Sequence, residues 1–249
     1  MSGRAKSRAD TALVDRGLVE SRTKAQALIM AGQVFSGERR IDKAGDAVAE
    51  DQPLEVRGAD HPWVSRGGIK LAHALEHFAI ALDGQVGLDL GASTGGFTDV
   101  LLQGGAAKVY AVDVGRGQLH WKLRNDPRVV VREGVNARNL GPAEVPESVD
   151  IVTSDVSFIG LEKVLPPAMA LTAPGARLIA LIKPQFQVGK GQVGKGGVVR
   201  DPALHDKVCR EIEALIAGTP GWRVLGITES PITGPQGNKE FLIAAEREN

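Results

Sequence analysis

Between residues 87 and 115 the chain reads GLDLGASTGGFTDVLLQGGAAKVYAVDVG, and this run limits the fold more than any other. The apolar run Val86–Leu90 has the length of a buried strand, and a turn of small residues follows it. A helix is expected near 97–103, then a second strand over Val109–Val112 that ends in Asp113. Strand, glycine-rich turn, helix and strand in about 30 residues make a parallel βαβ unit. Further apolar runs at Val129–Val131, Ile151–Thr153 and Leu178–Ile182 alternate with helical stretches near 117–124, 160–171 and 202–217. Such alternation predicts a parallel sheet covered on both faces. The runs Trp222–Thr228 and Phe241–Ala245 are joined by a short segment containing GPQGN, so the last strand should be the antiparallel partner in a hairpin.

The turn itself discriminates between ligands. Gly91, Gly95 and Gly96 let backbone approach a ligand closely. Asp113, 22 residues after Gly91, stands where an acid can accept hydrogen bonds from both ribose hydroxyls of an adenosine. A dinucleotide wants G-x-G-x-x-G, and here Ser93 replaces the second glycine of Gly91-Ala92-Ser93-Thr94-Gly95-Gly96. Asp89, just ahead of the turn, would repel a pyrophosphate but suits a sulfonium or an α-amino group. S-adenosylmethionine (AdoMet) therefore fits better than NAD. A mostly parallel sheet with its last strand antiparallel is the Rossmann-like architecture of AdoMet-dependent methyltransferases, an α/β fold. Asp89, Gly91, Ser93, Thr94, Gly95, Gly96, Asp113 and Asp155 are the expected cofactor-binding residues.

Ahead of this domain the charge is uneven. The chain is neutral overall, yet residues 1–45 hold nine Lys or Arg against five acids. A second basic stretch, Lys183 to Arg200, contains no acid at all. Phosphates respond to patches rather than averages. Asp10 is expected to cap a first helix that Gly17 ends, and Ser21 a second that Gly32 ends. Short strands follow at Val34–Phe35, Val48 and Leu54–Val56, making a small α+β unit. The run RADTALVDRGLVESRTKAQALIMAGQVFSGERRIDKAG in this unit resembles the S4 RNA-binding domain. The resemblance implies that Arg8, Arg16, Arg22 and Lys24 meet folded RNA, with Arg66 further along the chain counted beside them. Residues 1–60 are assigned to this domain, 61–68 to a linker and 69–249 to the methyltransferase domain. The linker lies in GADHPWVSRGG, where Trp63 and Val64 should dock against one of the domains.

Two charged residues end buried strands on the larger domain. Asp155 follows Ile151–Thr153 in TSDVSF, and Lys183 follows Leu178–Ile182, so both should enter the crevice at the carboxyl ends of the strands. Lys70, early in the helix before the first strand, and Glu240, beginning the last strand, could reach the same crevice. In the order Lys70, Asp155, Lys183, Glu240 these residues resemble the catalytic tetrad of FtsJ-type ribose 2′-O-methyltransferases. With the S4-like unit in front, the chain is similar to the TlyA family, also called haemolysin A. That resemblance implies AdoMet-dependent methylation of cytidine 2′-hydroxyls in ribosomal RNA, in the cytoplasm, with ribosomal subunits as partners. A ribose hydroxyl attacks well only as its proton leaves, and Lys183 is the expected base. Burial and a second cation, Lys70, favour its neutral amine, whereas Asp155 and Glu240 oppose that and orient the ammonium.

Composition bears on the rivals. No apolar stretch approaches the about 20 residues of a membrane-spanning helix, and MSGRAKSRAD has no apolar segment behind it, so neither a membrane-active haemolysin nor a secreted protein is expected. The single cysteine, Cys209, excludes an internal disulfide framework and falls outside any motif. His73 and His77 stand one helical turn apart without a third ligand, and no metal is expected. A non-catalytic RNA-binding protein remains the other rival, and the complete tetrad argues against it.

Overall fold

The structure, a computed structural model, describes residues 6–19, 21–57 and 61–248. Arg4, Glu20, Gly58 and Asp60, which entered the charge and linker readings, lie outside the described residues. The chain divides into two compact units, Met1–Pro62 and Trp63–Asn249.

In the first unit, β1 (Lys6–Arg8) leads directly into α1 (Ala9–Asp15), and α2 (Arg22–Met30) follows. Strands β2 (Val34–Ser36), β3 (Arg39–Arg40), β4 (Ala47–Ala49) and β5 (Glu55–Val56) complete it. β1 pairs antiparallel with β4, and β2 lies between β3 and β5. Ala9, Ala12 and Leu13 of α1 meet Ala25 and Ile29 of α2 over Val34, Ile41 and Val48 in a small core. Ser21 caps α2 by accepting the Lys24 backbone N–H at 3.2 Å. Asp10 does not cap α1, contrary to expectation. Arg8 holds the cap position, and Asp10 lies within the first turn, fully buried. The pairing of β1 fixes the backbone up to Arg8 and so starts the helix two residues early.

Among the described residues of the second unit, seven strands make one sheet in the order β11-β12-β10-β9-β6-β7-β8. These are β6 (Val86–Leu90), β7 (Lys108–Asp113), β8 (Val129–Glu133), β9 (Val149–Ser154), β10 (Thr172–Ile182), β11 (Trp222–Glu229) and β12 (Phe241–Arg247). β8, β7, β6, β9 and β10 run parallel to their neighbours. β12 is antiparallel to both β10 and β11, so the reversed strand sits inside the sheet and β11 takes the edge. The helices are α3 (Gly67–His77), α4 (Gly96–Gln103), α5 (Trp121–Arg124), α6 (Leu165–Met169), α7 (Pro184–Gln187) and α8 (Pro202–Ala217).

Alternation along each strand divides the core into two layers. Leu88, Leu90, Leu178, Ala180 and Ile182 pack on one face with Leu165, Val208 and Ile212. Ile151, Ile179, Leu181 and Leu242 pack on the other with Leu71, Phe97 and Leu101. Two expected helices are shorter than read. Pro166 and Pro167 confine the 160–171 stretch to a 3₁₀ turn and α6, since Pro cannot donate within a helix. Gly117, at φ +70°, keeps α5 from starting before Trp121. The segment read as a linker enters the second unit at Trp63, and α3 begins inside it at Gly67. Trp63 and Val64 pack on the α3–α4 side of the core, and the Val64 N–H donates to Asp99 Oδ2 at 2.8 Å. Among the described residues, no helix is long and apolar enough to cross a membrane.

Candidate active site

The carboxyl ends of β6, β7, β9 and β10 converge, and each delivers one element of the site. After β6 the chain turns through Gly91–Gly95 into α4. Gly95 holds φ +99°, and a Cβ on Gly96 would come within 2.4 Å of Ser65 Oγ. The turn can therefore pass close under the start of α3 only with glycine there. Ser93, where a dinucleotide site would carry glycine, adopts φ +49°. The backbone thus demands the left-handed conformation at this position even though the residue is serine.

Asp113 ends β7 below this turn. Its Oδ2 accepts the Ser93 N–H at 2.8 Å and its Oδ1 accepts the Gly115 N–H at 2.7 Å. Both oxygens are thereby oriented, and each keeps a lone pair for a further donor. A cavity of about 510 Å³ opens beside it, lined by Gly91, Ser93, Asp113, Val114, Asn136 and Asp155 among others. A second, of about 240 Å³, shares Gly91, Ser93, Asp155 and Ser157 with the first and adds Ser65, Arg66, Thr94, Gly96, Lys70 and Lys183. A third, of about 610 Å³, shares Ser157 and Lys183 with the second and is walled by Phe158, Phe186 and Asn238. Ser157 thus borders all three cavities, and Lys183 stands between the second and the third, which Phe158 and Phe186 wall.

The four residues read as a tetrad form two ion pairs. Lys183 Nζ lies 2.5 Å from Asp155 Oδ1 in an ion pair. The same ammonium donates to Ser157 Oγ at 2.8 Å. Lys70 Nζ donates to Glu240 Oε2 at 2.6 Å, both side chains being almost wholly buried. Lys70, the second cation expected beside Lys183, is thus compensated by Glu240. Glu240 itself lies behind Lys70 and lines none of these cavities. A Cβ on Gly234 would come within 2.1 Å of Glu240 Oε1, which accounts for the glycine that opens GPQGN.

Asp89 departs from its expected place. Alternation along β6 sends Leu88 and Leu90 to one face and Asp89 to the other, beneath α4. It is fully buried and accepts the hydroxyls of Thr98 at 2.7 Å and Thr153 at 3.1 Å. Burial pushes its carboxyl up to about 7, against the two hydroxyls, which favour the carboxylate. It contacts none of the cavities and ties α4 to β9 instead. Gly95 likewise lines no cavity and faces Leu119 and Leu123.

In the first unit, Arg16 is also turned from its expected role. Its guanidinium donates to the carbonyls of Gln52, Ala49 and Glu50 and closes the turn after β4. Arg8 and Arg22 both pair with buried Asp10, at 2.9 and 3.0 Å, while more than half of each side chain remains exposed. Lys24 is exposed. Arg66 is exposed at the rim of the second cavity.

Ser157, Asn136 and Ser65 escaped the sequence reading. Asn136 follows β8 and could have been found from its strand-end position. Ser157 stood two residues after Asp155 in the run already singled out. Ser65 is brought in only by the packing of α3 on α4.

Residues 63–247 match the family model for FtsJ-like methyltransferases, and residues 7–52 match that for the S4 domain. The chain belongs to the FtsJ-like methyltransferase family. It is 49% identical over 243 residues to the 16S/23S rRNA (cytidine-2′-O)-methyltransferase TlyA of Mycobacterium tuberculosis, covering 96% of this chain and 89% of that one. It is 40% identical over 236 residues to Hemolysin A of Brachyspira hyodysenteriae, covering 94% and 98%. A solved Streptococcus thermophilus protein named as a hemolysin superposes with a TM-score of 0.76 at 40% identity, covering 99% of this chain and 90% of that one. The glycine turn, Asp113 and the strand-end ion pair accordingly belong to a methyl-transfer enzyme preceded by an S4 domain.

Proposed function

We propose that this enzyme transfers a methyl group from AdoMet to the 2′-hydroxyl of cytidine in ribosomal RNA. The observation that carries this reading is Lys183 Nζ, fixed by Asp155 and Ser157 between the second cavity, which adjoins the one beside Asp113 along Gly91, Ser93 and Asp155, and the aromatic-lined third. The residues suit the cofactor. Asp113 offers one lone pair from each oriented oxygen to a ribose diol, and a pocket of about 510 Å³ has room for an adenosine. When bound, AdoMet supplies an electrophilic methyl carbon on a sulfonium. Asp155 places negative charge where that cation would lie and leaves Lys183 to take or steer the proton of the attacking hydroxyl. Lys70, neutralised by Glu240 behind it, lines the second cavity without adding net charge.

Base methylation has less support. A cysteine nucleophile needs its thiolate, whereas Cys209 sits on α8 half-buried, its thiol pushed up to about 11 chiefly by burial. Ribosomal RNA as substrate places the work in the cytoplasm, on ribosomal subunits or their precursors. The test is chemical. Unmodified ribosomal RNA incubated with enzyme and labelled AdoMet should gain positions resistant to alkaline cleavage, because a 2′-O-methyl group removes the attacking hydroxyl. Label recovered on a nucleobase, with the alkaline ladder unbroken, would overturn the proposal.

A further inference from the structure

In the second unit three large apolar side chains stand exposed among the described residues: Val114 at 74%, Trp121 at 71% and Phe158 at 89%. Val114 and Phe158 line the cavity beside Asp113, so the reading above accounts for both. Trp121 lines none of the cavities. A tryptophan carries the largest apolar surface of any side chain, and leaving it in water forgoes that burial. Its segment had the means to bury something, because Leu119 and Leu123 are turned inward against Gly95. They pin residues 119–123 in place and leave Trp121 pointing outward.

The neighbours of Trp121 give the exposed face its character. From Val114 to Asn125 the chain contains Arg116, His120, Lys122 and Arg124 and no acid. Arg124 reaches Glu133 at 2.5 Å and Lys122 approaches Asp99 at 3.7 Å. Arg116 makes no ion pair among the described residues. His120 lies beside Trp121 with ring centroids 5.9 Å apart and planes tilted by 31°. Its Nδ1 accepts the Lys122 N–H at 3.3 Å and so caps α5. The patch is continuous with the active site. The His120 N–H donates to the Thr94 carbonyl at 3.1 Å, and Thr94 lines the cavity that holds Lys183.

We propose that Trp121, backed by His120, is a stacking platform for an unpaired base of the RNA strand that carries the target ribose. Arg116, Lys122 and Arg124 meet the phosphates on either side of that base. An aromatic step beside a row of cations matches single-stranded RNA, which offers flat faces and regular negative charge together. Arg124 and Lys122 keep 38% and 58% of their side chains exposed beside Glu133 and Asp99, so both stay within reach of a phosphate as Arg116 does. The inference rests on RNA being the substrate, as proposed above.

The full-length protein tests it with transcribed, unmodified ribosomal RNA as probe. RNA should quench a component of the tryptophan emission that is missing in Trp121→Phe. Trp121→Ala should raise the KM for RNA about 10-fold, with kcat and AdoMet affinity unchanged. Trp121→Phe, which keeps a ring, should recover most of that loss. Unaltered KM in Trp121→Ala, or RNA that leaves the Trp121 emission untouched, overturns the platform. So does a changed sedimentation coefficient with unchanged KM, which would make the patch a contact between copies of the chain. These results stand apart from the substrate reading, which fails only if the wild-type enzyme puts no methyl on ribose.

Discussion

Lys183 and Asp89 are both charged residues in the body of an α/β domain, and their surroundings separate their tasks. Lys183 keeps one side open to two cavities and has Asp155 and Ser157 to orient it. Lys183→Met retains the stem and removes the amine, so turnover should fall by at least about 100-fold. AdoMet affinity measured by calorimetry should change little. Equal losses in affinity and turnover would make Lys183 a binding residue. Asp89 has no open side, and its carboxyl is raised to about 7 mainly by burial. A raised acid binds its proton more tightly in the folded state. Its contribution to stability is therefore full below the unfolded value near 3.9 and is lost as pH rises through about 7. Asp89→Asn mimics the protonated side chain. Its melting temperature should exceed that of the wild type by at least about 3 °C at pH 8, and the gain should shrink to nothing by pH 4. A difference independent of pH would show that Asp89 does not titrate in this range.

At the scale of elements, the contact between α3 and α4 decides the shape of the cofactor turn. Gly96 begins α4 directly against Ser65 and the Gly68 backbone, and Trp63 lies against Gly68 on the other side. Gly96→Ala would put a methyl group 2.9 Å from the Gly68 nitrogen, which is backbone and cannot swing aside. The two helices must then part, carrying Lys70 away from Glu240 and Ser65 away from Thr94. AdoMet affinity should fall at least about 10-fold while the melting temperature drops by only a few degrees. Unchanged affinity would show that the close approach has no bearing on the cofactor.

For the whole molecule, each unit has its own core, and the proposed cofactor residues all lie in the second. Deleting residues 1–62 should leave AdoMet binding nearly intact and abolish methylation of ribosomal RNA, because the cationic face of the S4 domain goes with them. The cut must stop ahead of Trp63, since that ring and the Val64 N–H, bonded to Asp99, brace α3 on α4. Equal RNA methylation by the truncated protein would remove the docking role of the first unit. At low pH the S4 domain should weaken. Asp10 is held well below the usual carboxylate range, first by the Arg8 guanidinium and then by Gln26 and Arg22. Its stabilisation is present above the unfolded value and lost as pH falls beneath it. Far-UV melts of the whole chain below pH 4 should show this loss, and Asp10→Asn should remove the pH dependence along with the stability.

The succession of strands and helices along the chain, the reversed last strand, the glycine turn with its distal Asp113 and the strand-end positions of Asp155 and Lys183 were all legible in the chain. Each depends on local pattern, such as apolar run length, small residues at a turn, or a polar residue ending a buried run. The fate of individual polar groups was not legible, because it depends on what stands opposite them in space. Strand alternation put Asp89 beneath α4, and a nearby row of carbonyls took Arg16 away from the solvent face. The insertion of β12 between β10 and β11 brought Glu240 to Lys70, 170 residues away in sequence, and turned a tetrad into two pairs. Local sequence determines which elements form and where their ends lie. Only tertiary packing decides which charges meet, since a buried charge is tolerated only where a partner from elsewhere in the chain arrives to compensate it.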